Sequence, residues 1–126
     1  MPTLIISAPW YKKDNAGNPT GRPNQRNSWE TYVEVAHVGL GYMLYQSEYE
    51  TLTTPAGVVR DDITVVLLRN DRNRRRAEAR LTGLKRGEQT KNGQWRYDVS
   101  FEDPREITPY VYGSEEKLKE NGVKVV

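Results

Sequence analysis

Residues 76–84 read R-A-E-A-R-L-T-G-L, and residues 95–102 read W-R-Y-D-V-S-F-E. In the first stretch Ala77, Ala79 and Leu81 alternate with Arg76, Glu78, Arg80 and Thr82. In the second, Trp95, Tyr97, Val99 and Phe101 alternate with Arg96, Asp98, Ser100 and Glu102. Successive side chains of a strand point to opposite faces, so this period of two predicts two strands, each with one face in a core. Asn92-Gly93 between them is turn chemistry. Just upstream, Ile63 to Arg69 is apolar on both faces, the pattern of a strand covered on both sides. Asn70-Asp71-Arg72-Asn73 supplies the turn between that strand and the next. Residues 58–112 therefore read as an antiparallel meander.

Working outward, Thr3 to Ser7 is a short Ile-rich run that predicts a buried strand ended by Pro9. Lys12 to Ser28 is a loop by composition, with four Asn, two Gly and two Pro. Residues 28–49 carry two conflicting signals. Trp29, Tyr32, Val33, Ala36, Leu40, Met43 and Leu44 share a helical stripe, and Asn27 with Glu30 has capping-box spacing. The β-branched Thr31, Val33, Val35 and Val38, with Gly39 and Gly41, favour strands turning at 39–41. We favour helix for the first half. Thr53 to Gly57 is a loop around Pro55. Ile107 to Tyr112 is a candidate edge strand because of Pro109. Ser114 opens a short polar helix over 115–120, ended by Gly122, and Val123 to Val126 adds a last strand. The expected fold is α+β: one domain over 1–126, a small, mostly antiparallel open β-barrel with one or two helices.

The 126 residues suffice for one core. Only 36% are hydrophobic and the mean hydropathy is −0.84, so twelve aromatics must supply much of the buried area. With no cysteine there are no disulfides, thiolate metal sites or cysteine nucleophiles, and the single histidine, His37, excludes a two-imidazole site. No apolar run approaches the ~20 residues of a membrane span, and the first residues lack the pattern of a secretory signal. A soluble cytoplasmic protein, without membrane contact, is the expectation.

Charge is unevenly placed. Arg69 to Arg86 holds eight of the 19 Lys and Arg residues against Asp71 and Glu78, a local charge of +6 in a chain of +2. Arg donates two parallel hydrogen bonds from a planar fork, which suits phosphate. Arg69, Arg72, Arg74, Arg75, Arg76, Arg80, Lys85 and Arg86 are the candidate phosphate contacts. Arg72, Arg74 and Arg75 fall at a hairpin tip. Arg76, Arg80 and Arg86 are candidates for one shared strand face. A solvated edge that deters strand pairing is the plainer explanation. Three successive Arg repel one another, however, and that density favours a binding surface. Trp10, Tyr11 and Trp29 flank the long loop and are the candidate base-stacking or pocket residues; a stacked base gains ~1–3 kcal/mol. The core is the competing place for them, and Trp95, Tyr97 and Phe101 belong there by alternation.

Catalysis finds no support. His37 lies alone in an apolar stretch, Asp61 and Asp62 on a strand would face opposite ways, and no phosphate-binding or nucleophile-elbow motif occurs. No catalytic residue, metal ligand or cofactor is assigned.

The stretch from Val58 to Tyr110, with Asp61-Asp62 before Ile63–Leu68, then Arg76–Leu84 and Trp95–Phe101 leading to Ile107-Thr108-Pro109, resembles the central part of the PUA-like superfamily, which includes ASCH and EVE domains. Ser7-Ala8-Pro9-Trp10 is similar in outline to the first, pocket-lining strand of EVE domains. Asp61 stands where such domains often carry Gly. The resemblance implies an open barrel that binds RNA, or a modified base flipped from DNA into an aromatic pocket near Trp10, Tyr11 and Trp29. The expectation is thus a nucleic-acid-binding domain whose Arg-rich hairpin contacts phosphates. Three alternatives remain: a protein that sequesters a small signalling nucleotide; a viral structural or assembly protein with the Arg hairpin at a subunit interface; and an RNA-cleaving ASCH-like enzyme using His37.

Overall fold

The doubly apolar strand expected from residue 63 is at the centre of the architecture. In the computed structural model, which describes residues 2–8, 11–13, 15–16, 19–23, 28–69, 74–108, 118–119 and 122–126, it is Thr64–Arg69. In chain order the strands are β1 (Thr3–Ser7), β2 (Tyr11–Lys13), β3 (Pro19–Pro23), β4 (Val38–Leu44), β5 (Thr64–Arg69), β6 (Arg75–Gln89), β7 (Trp95–Glu106) and β8 (Val123–Val125). Six of them form one sheet in the order β4-β7-β6-β5-β1-β8. All neighbours are antiparallel except β1 and β5, which run parallel with Thr3 opposite Thr64 and Ser7 opposite Leu68. The fold is α+β: mostly sheet, two short helices, and a six-stranded sheet curled into a half-barrel.

β5 shows why its sequence lacks alternation. Val65 and Leu67 face the main core with Leu4, Ile6, Tyr42, Tyr97 and Phe101. Val66 and Leu68 face the other side and form a second cluster with Ile5, against which Leu118 packs. β6 and β7 alternate as expected, with Ala77, Ala79, Leu81, Tyr97, Val99 and Phe101 buried. Both run longer than their alternating cores. Their hairpin closes through Lys91-Asn92-Gly93, where Gly93 adopts φ +80°, a left-handed conformation that glycine takes without a steric cost.

The ambiguous stretch 28–49 resolves into three elements. α1 (Trp29–Thr31) passes directly into a π-helical turn, Tyr32–Ala36. Its cap is Ser28, one residue beyond the expected Asn27: Ser28 Oγ accepts from Thr31 N at 3.2 Å. His37 ends the turn in the left-handed region at φ 53°. The helix expected for the first half is therefore present. The second half holds β4 and then α2 (Gln46–Leu52), with neither the continued helix nor a turn at 39–41. Glu48 Oε1 accepts from Tyr45 N at 2.8 Å and so starts α2. The loop expected over 12–28 contains a two-stranded ribbon, β2 with β3. Backbone pairing forms it without an alternating apolar face, which is why composition gave no sign of it. At the C-terminal end, Ile107 and Thr108 are not in a strand, the rest of 109–112 and the helix expected at 115–120 lie largely outside the described residues, and β8 pairs with β1 as the last strand. No helix among the described residues is long and apolar enough to cross a membrane.

The curl brings the two ends of the sheet together. β4 and β1 have three strands between them, yet Tyr42 of β4 donates its hydroxyl to the Ser7 carbonyl of β1 at 3.1 Å. Gly39 lies at the same approach. A Cβ there would meet Tyr42 Cε2 at 2.9 Å, Ile6 Cδ1 at 3.2 Å and Tyr32 Cε2 at 3.4 Å, whereas one at Gly83 would meet Ser100 Cβ and Oγ at 3.6 and 3.8 Å, ordinary contact distances. Gly39→Ala is therefore expected to destabilise the fold by ~1–3 kcal/mol, and Gly83→Ala to be neutral or stabilising by up to ~1 kcal/mol. Urea unfolding of the two variants beside the parent measures both. Equal stability of the two would contradict the closure at Gly39.

Candidate nucleic-acid interface

The seven of the eight basic candidates that lie among the described residues separate into three groups. Arg69 and Arg75 are cross-strand partners at one end of β5 and β6, where two guanidinium groups would repel. Carboxylates intervene. Glu30 of α1 pairs with Arg69 and lies 3.8 Å from Arg75 Nη1. Glu106 accepts from Arg75 Nε and Nη2, each at 2.8 Å, a bidentate clasp. Arg75 also lies over the Trp29 ring, 4.3 Å from its centroid. The Arg75 fork holds the Glu106 carboxyl below its ordinary range, and Glu106 in turn raises Arg75. Trp29 is 1% exposed and its Nε1 donates to the Leu67 carbonyl at 2.9 Å. One face of its ring is covered by Arg75, so it is set as a core residue. Trp10 and Arg72 lie outside the described residues; Tyr11 is in β2.

The second group sits on the outer face of β6. Arg76 approaches Glu78 at 3.5 Å. Arg80 is hydrogen-bonded to Glu102 of β7, with Nε at 2.7 Å, and that carboxylate raises its pKa. Arg74 is exposed, and Lys85, also exposed, stands opposite Asp98 in the register. Counting Glu30, Glu102 and Glu106 with the basic run lowers its local charge from +6 to +3. Exposed pairs of this kind stabilise little, but each must be opened before its Arg can take a phosphate.

Arg86 forms the third group by itself. Strict alternation would place it with Arg76 and Arg80. Between Leu81↔Phe101 and Gly83↔Ser100 the register shifts by one, a β-bulge that gives β6 an extra residue. Beyond it the even-numbered residues move to the other face: Leu84 pairs with Val99 and packs against the core, and Arg86, exposed, pairs with Tyr97. Arg86 therefore leaves the face it was expected to share. Its Nε and Nη2 donate to the Tyr97 hydroxyl at 2.9 and 2.7 Å, and Nη2 donates to Gln46 Oε1 at 2.7 Å. Its guanidinium carbon lies 4.6, 5.0 and 5.5 Å from the ring centroids of Trp95, Tyr49 and Tyr97. Tyr49 and Tyr97 stack at 5.1 Å and 12°. Gln46 and Tyr49 arrive on α2, an element the sequence pattern did not declare. The Arg86–Tyr97 pairing could have been found only by locating the bulge.

Beside this cluster a cavity of about 410 Å³ is lined by Gln46, Tyr49, Glu50, Thr53, Thr54, Pro55 and Gly57. No group of metal-ligating side chains occurs among the described residues. His37 is used structurally: its Nε2 lies 3.1 Å from the Val33 carbonyl, and it closes the π turn. Family models, curated proteins and solved structures contain no match to the chain.

The Glu106 clasp has a definite pH signature. Its folded pKa lies below the unfolded value, so its stabilisation is present above the ordinary glutamate value of 4.5 and is lost as pH falls through the folded pKa. Glu106→Gln is expected to cost ~0.5–1 kcal/mol at pH 7, a small sum because the pair is about one-third exposed. The gap between variant and parent should shrink towards zero in acid. Chemical unfolding at pH 7, 5 and 3 checks it; a gap that persists at pH 3 would place the cost elsewhere.

Proposed function

We propose that this chain is a nucleic-acid-binding domain that takes an unpaired RNA or DNA segment along β6. The observation that carries the reading is Arg86: a guanidinium hydrogen-bonded in place among Trp95, Tyr49 and Tyr97, at the end of the strand that bears the basic run, next to a cavity. Cationic groups paired with aromatic platforms are what single-stranded nucleic acid requires, one for phosphate and one for the base. Arg74, Arg80 and Lys85 are exposed and would meet the backbone. Arg69, paired with Glu30, and Arg75, held by Glu106 over Trp29, serve the fold instead. The half-barrel also suits a PUA-like relationship, which we adopt as part of this proposal. The aromatic platform then shifts from the long loop to the α2 side of the sheet.

The net local charge of +3 sets the expected strength. With about three phosphates neutralised, the slope of log affinity against log salt on a single strand should be near −2, a loss of roughly tenfold to twentyfold between 50 and 200 mM salt. Glu102→Gln removes the partner of Arg80 and should both tighten binding at low salt and steepen the slope by ~0.7. Fluorescence anisotropy with labelled single-stranded and duplex oligonucleotides at the two salt concentrations reads both effects. Absence of binding to every oligonucleotide at 50 mM salt would overturn the proposal. Tight binding of a mononucleotide with little salt dependence would favour a nucleotide-sequestering protein.

A further inference from the structure

The cavity at α2 is built differently from the basic strand beside it. Gln46, Tyr49 and Glu50 lie one helical turn apart and present one face to it, and Thr53 to Gly57 closes the opposite side. Its volume of about 410 Å³ falls within the ~300–1,000 Å³ of small-molecule sites. Tyr49 supplies a fixed aromatic wall: it stacks on Tyr97, and its hydroxyl donates to the Gly57 carbonyl at 3.4 Å.

The polar groups form an ordered series. Arg86 Nη2 donates to Gln46 Oε1, which fixes the amide orientation, and Gln46 Nε2 then donates to Glu50 Oε1 at 3.2 Å. Both ends of the Gln46 amide are occupied, and the series ends on a carboxylate. A carboxylate only accepts hydrogen bonds and repels phosphate, so on a nucleic-acid strand, whose bases are neutral and planar, the group that enters is the donor edge of a base. Among the nucleobases, guanine presents a ring N–H and an exocyclic amino group side by side, two parallel donors for one carboxylate. Adenine and cytosine offer the amino group alone, and uracil the ring N–H alone.

We propose that this cavity is a base subsite selective for guanine, with Glu50 as the reading residue, Tyr49 as the wall the base lies against, and Gln46 as the positioning residue that links Glu50 to Arg86. The subsite rests on the nucleic-acid-binding reading for its place along a strand, with Arg86 available to the adjoining phosphate.

Two measurements separate the subsite from that reading. In the first, guanosine, inosine and uridine are titrated into the ¹⁵N-labelled chain. Guanosine should shift the amides of residues 46–57, inosine, which lacks the exocyclic amino group, should bind about tenfold more weakly, and uridine should leave them in place. Glu50→Gln should lose the guanosine preference, while its far-ultraviolet circular dichroism stays that of the parent. Guanosine and uridine behaving alike, or guanosine shifting no amide in 46–57, would overturn the subsite. In the second, an oligouridylate with one central guanine is compared with the all-uracil strand, with an expected gain of about tenfold that vanishes in Glu50→Gln. A strand that binds equally with and without guanine also overturns the subsite while leaving the nucleic-acid reading intact. Guanosine binding without any oligonucleotide binding has the opposite meaning: the cavity remains a guanine site and the strand-binding reading falls.

Discussion

The curl of the sheet depends on two buried tyrosine hydroxyls. Tyr42 donates to the Ser7 carbonyl, so its single proton is committed, and the 3.0 Å contact between Tyr32 and Tyr42 must then be a hydrogen bond donated by Tyr32. The π turn and β4, which follow one another in the chain, are thereby joined inside the core to the distant β1. A buried hydroxyl without a partner would cost ~1–3 kcal/mol, so the interior is stable only in the arrangement that satisfies both. A chain with few aliphatic residues can fill a half-barrel this way because each tyrosine combines a large apolar ring with one directed polar contact. Gly39 belongs to the same constraint, since the rings of Tyr32 and Tyr42 occupy the space a side chain would need.

The bulge near Thr82 governs the chemistry of β6 as the tyrosines govern its curvature. Before it, charged side chains face outward and meet acids on the same or the neighbouring strand. After it, the same strand turns Arg86 to the face that carries Tyr97, where it lies exposed beside α2. One inserted residue thus divides a continuous basic run between the outer face of the sheet and the face that carries Tyr97. Both halves are exposed and screened by salt; Arg86 differs in that its partners, on α2 and β7, are neutral.

The physical character of each segment decided how much of this was legible in sequence. β5 was readable because burial on both faces leaves no polar position, and β6 and β7 because burial on one face imposes period two. The end of the β6–β7 hairpin was marked by Asn92-Gly93. The parallel pairing of β1 with β5 was not, since neither strand encodes the direction of its neighbour. Residues 28–49 are ambiguous because stripe and propensity disagree there: helix takes the part that Ser28 caps, strand takes Val38–Leu44, and helix returns at Gln46. The site was least visible. Arg86 was grouped with Arg76 and Arg80 because alternation assumes an unbroken register, and the acids that neutralise the basic run, Glu30, Glu102 and Glu106, lie far from it in sequence.

Those acids change what a basic stretch means for binding. A run of Arg measured along the chain gives an upper limit on the field a ligand meets; the folded field is what remains after strand pairing has brought carboxylates opposite. Here the remainder is concentrated where carboxylate partners give way to aromatic ones, at Arg86. A phosphate arriving at Arg80 must replace Glu102, and the gain is only the difference between two charge-assisted contacts. At Arg86 no carboxylate among the described residues has to leave: the guanidinium is held by a phenol, an amide and π faces, and its charge has no direct acidic partner among them. Affinity is a difference between bound and free states. The cation that gives up least on binding is therefore the one to expect at the centre of an interface, even though the most densely charged segment lies at the other end of the strand.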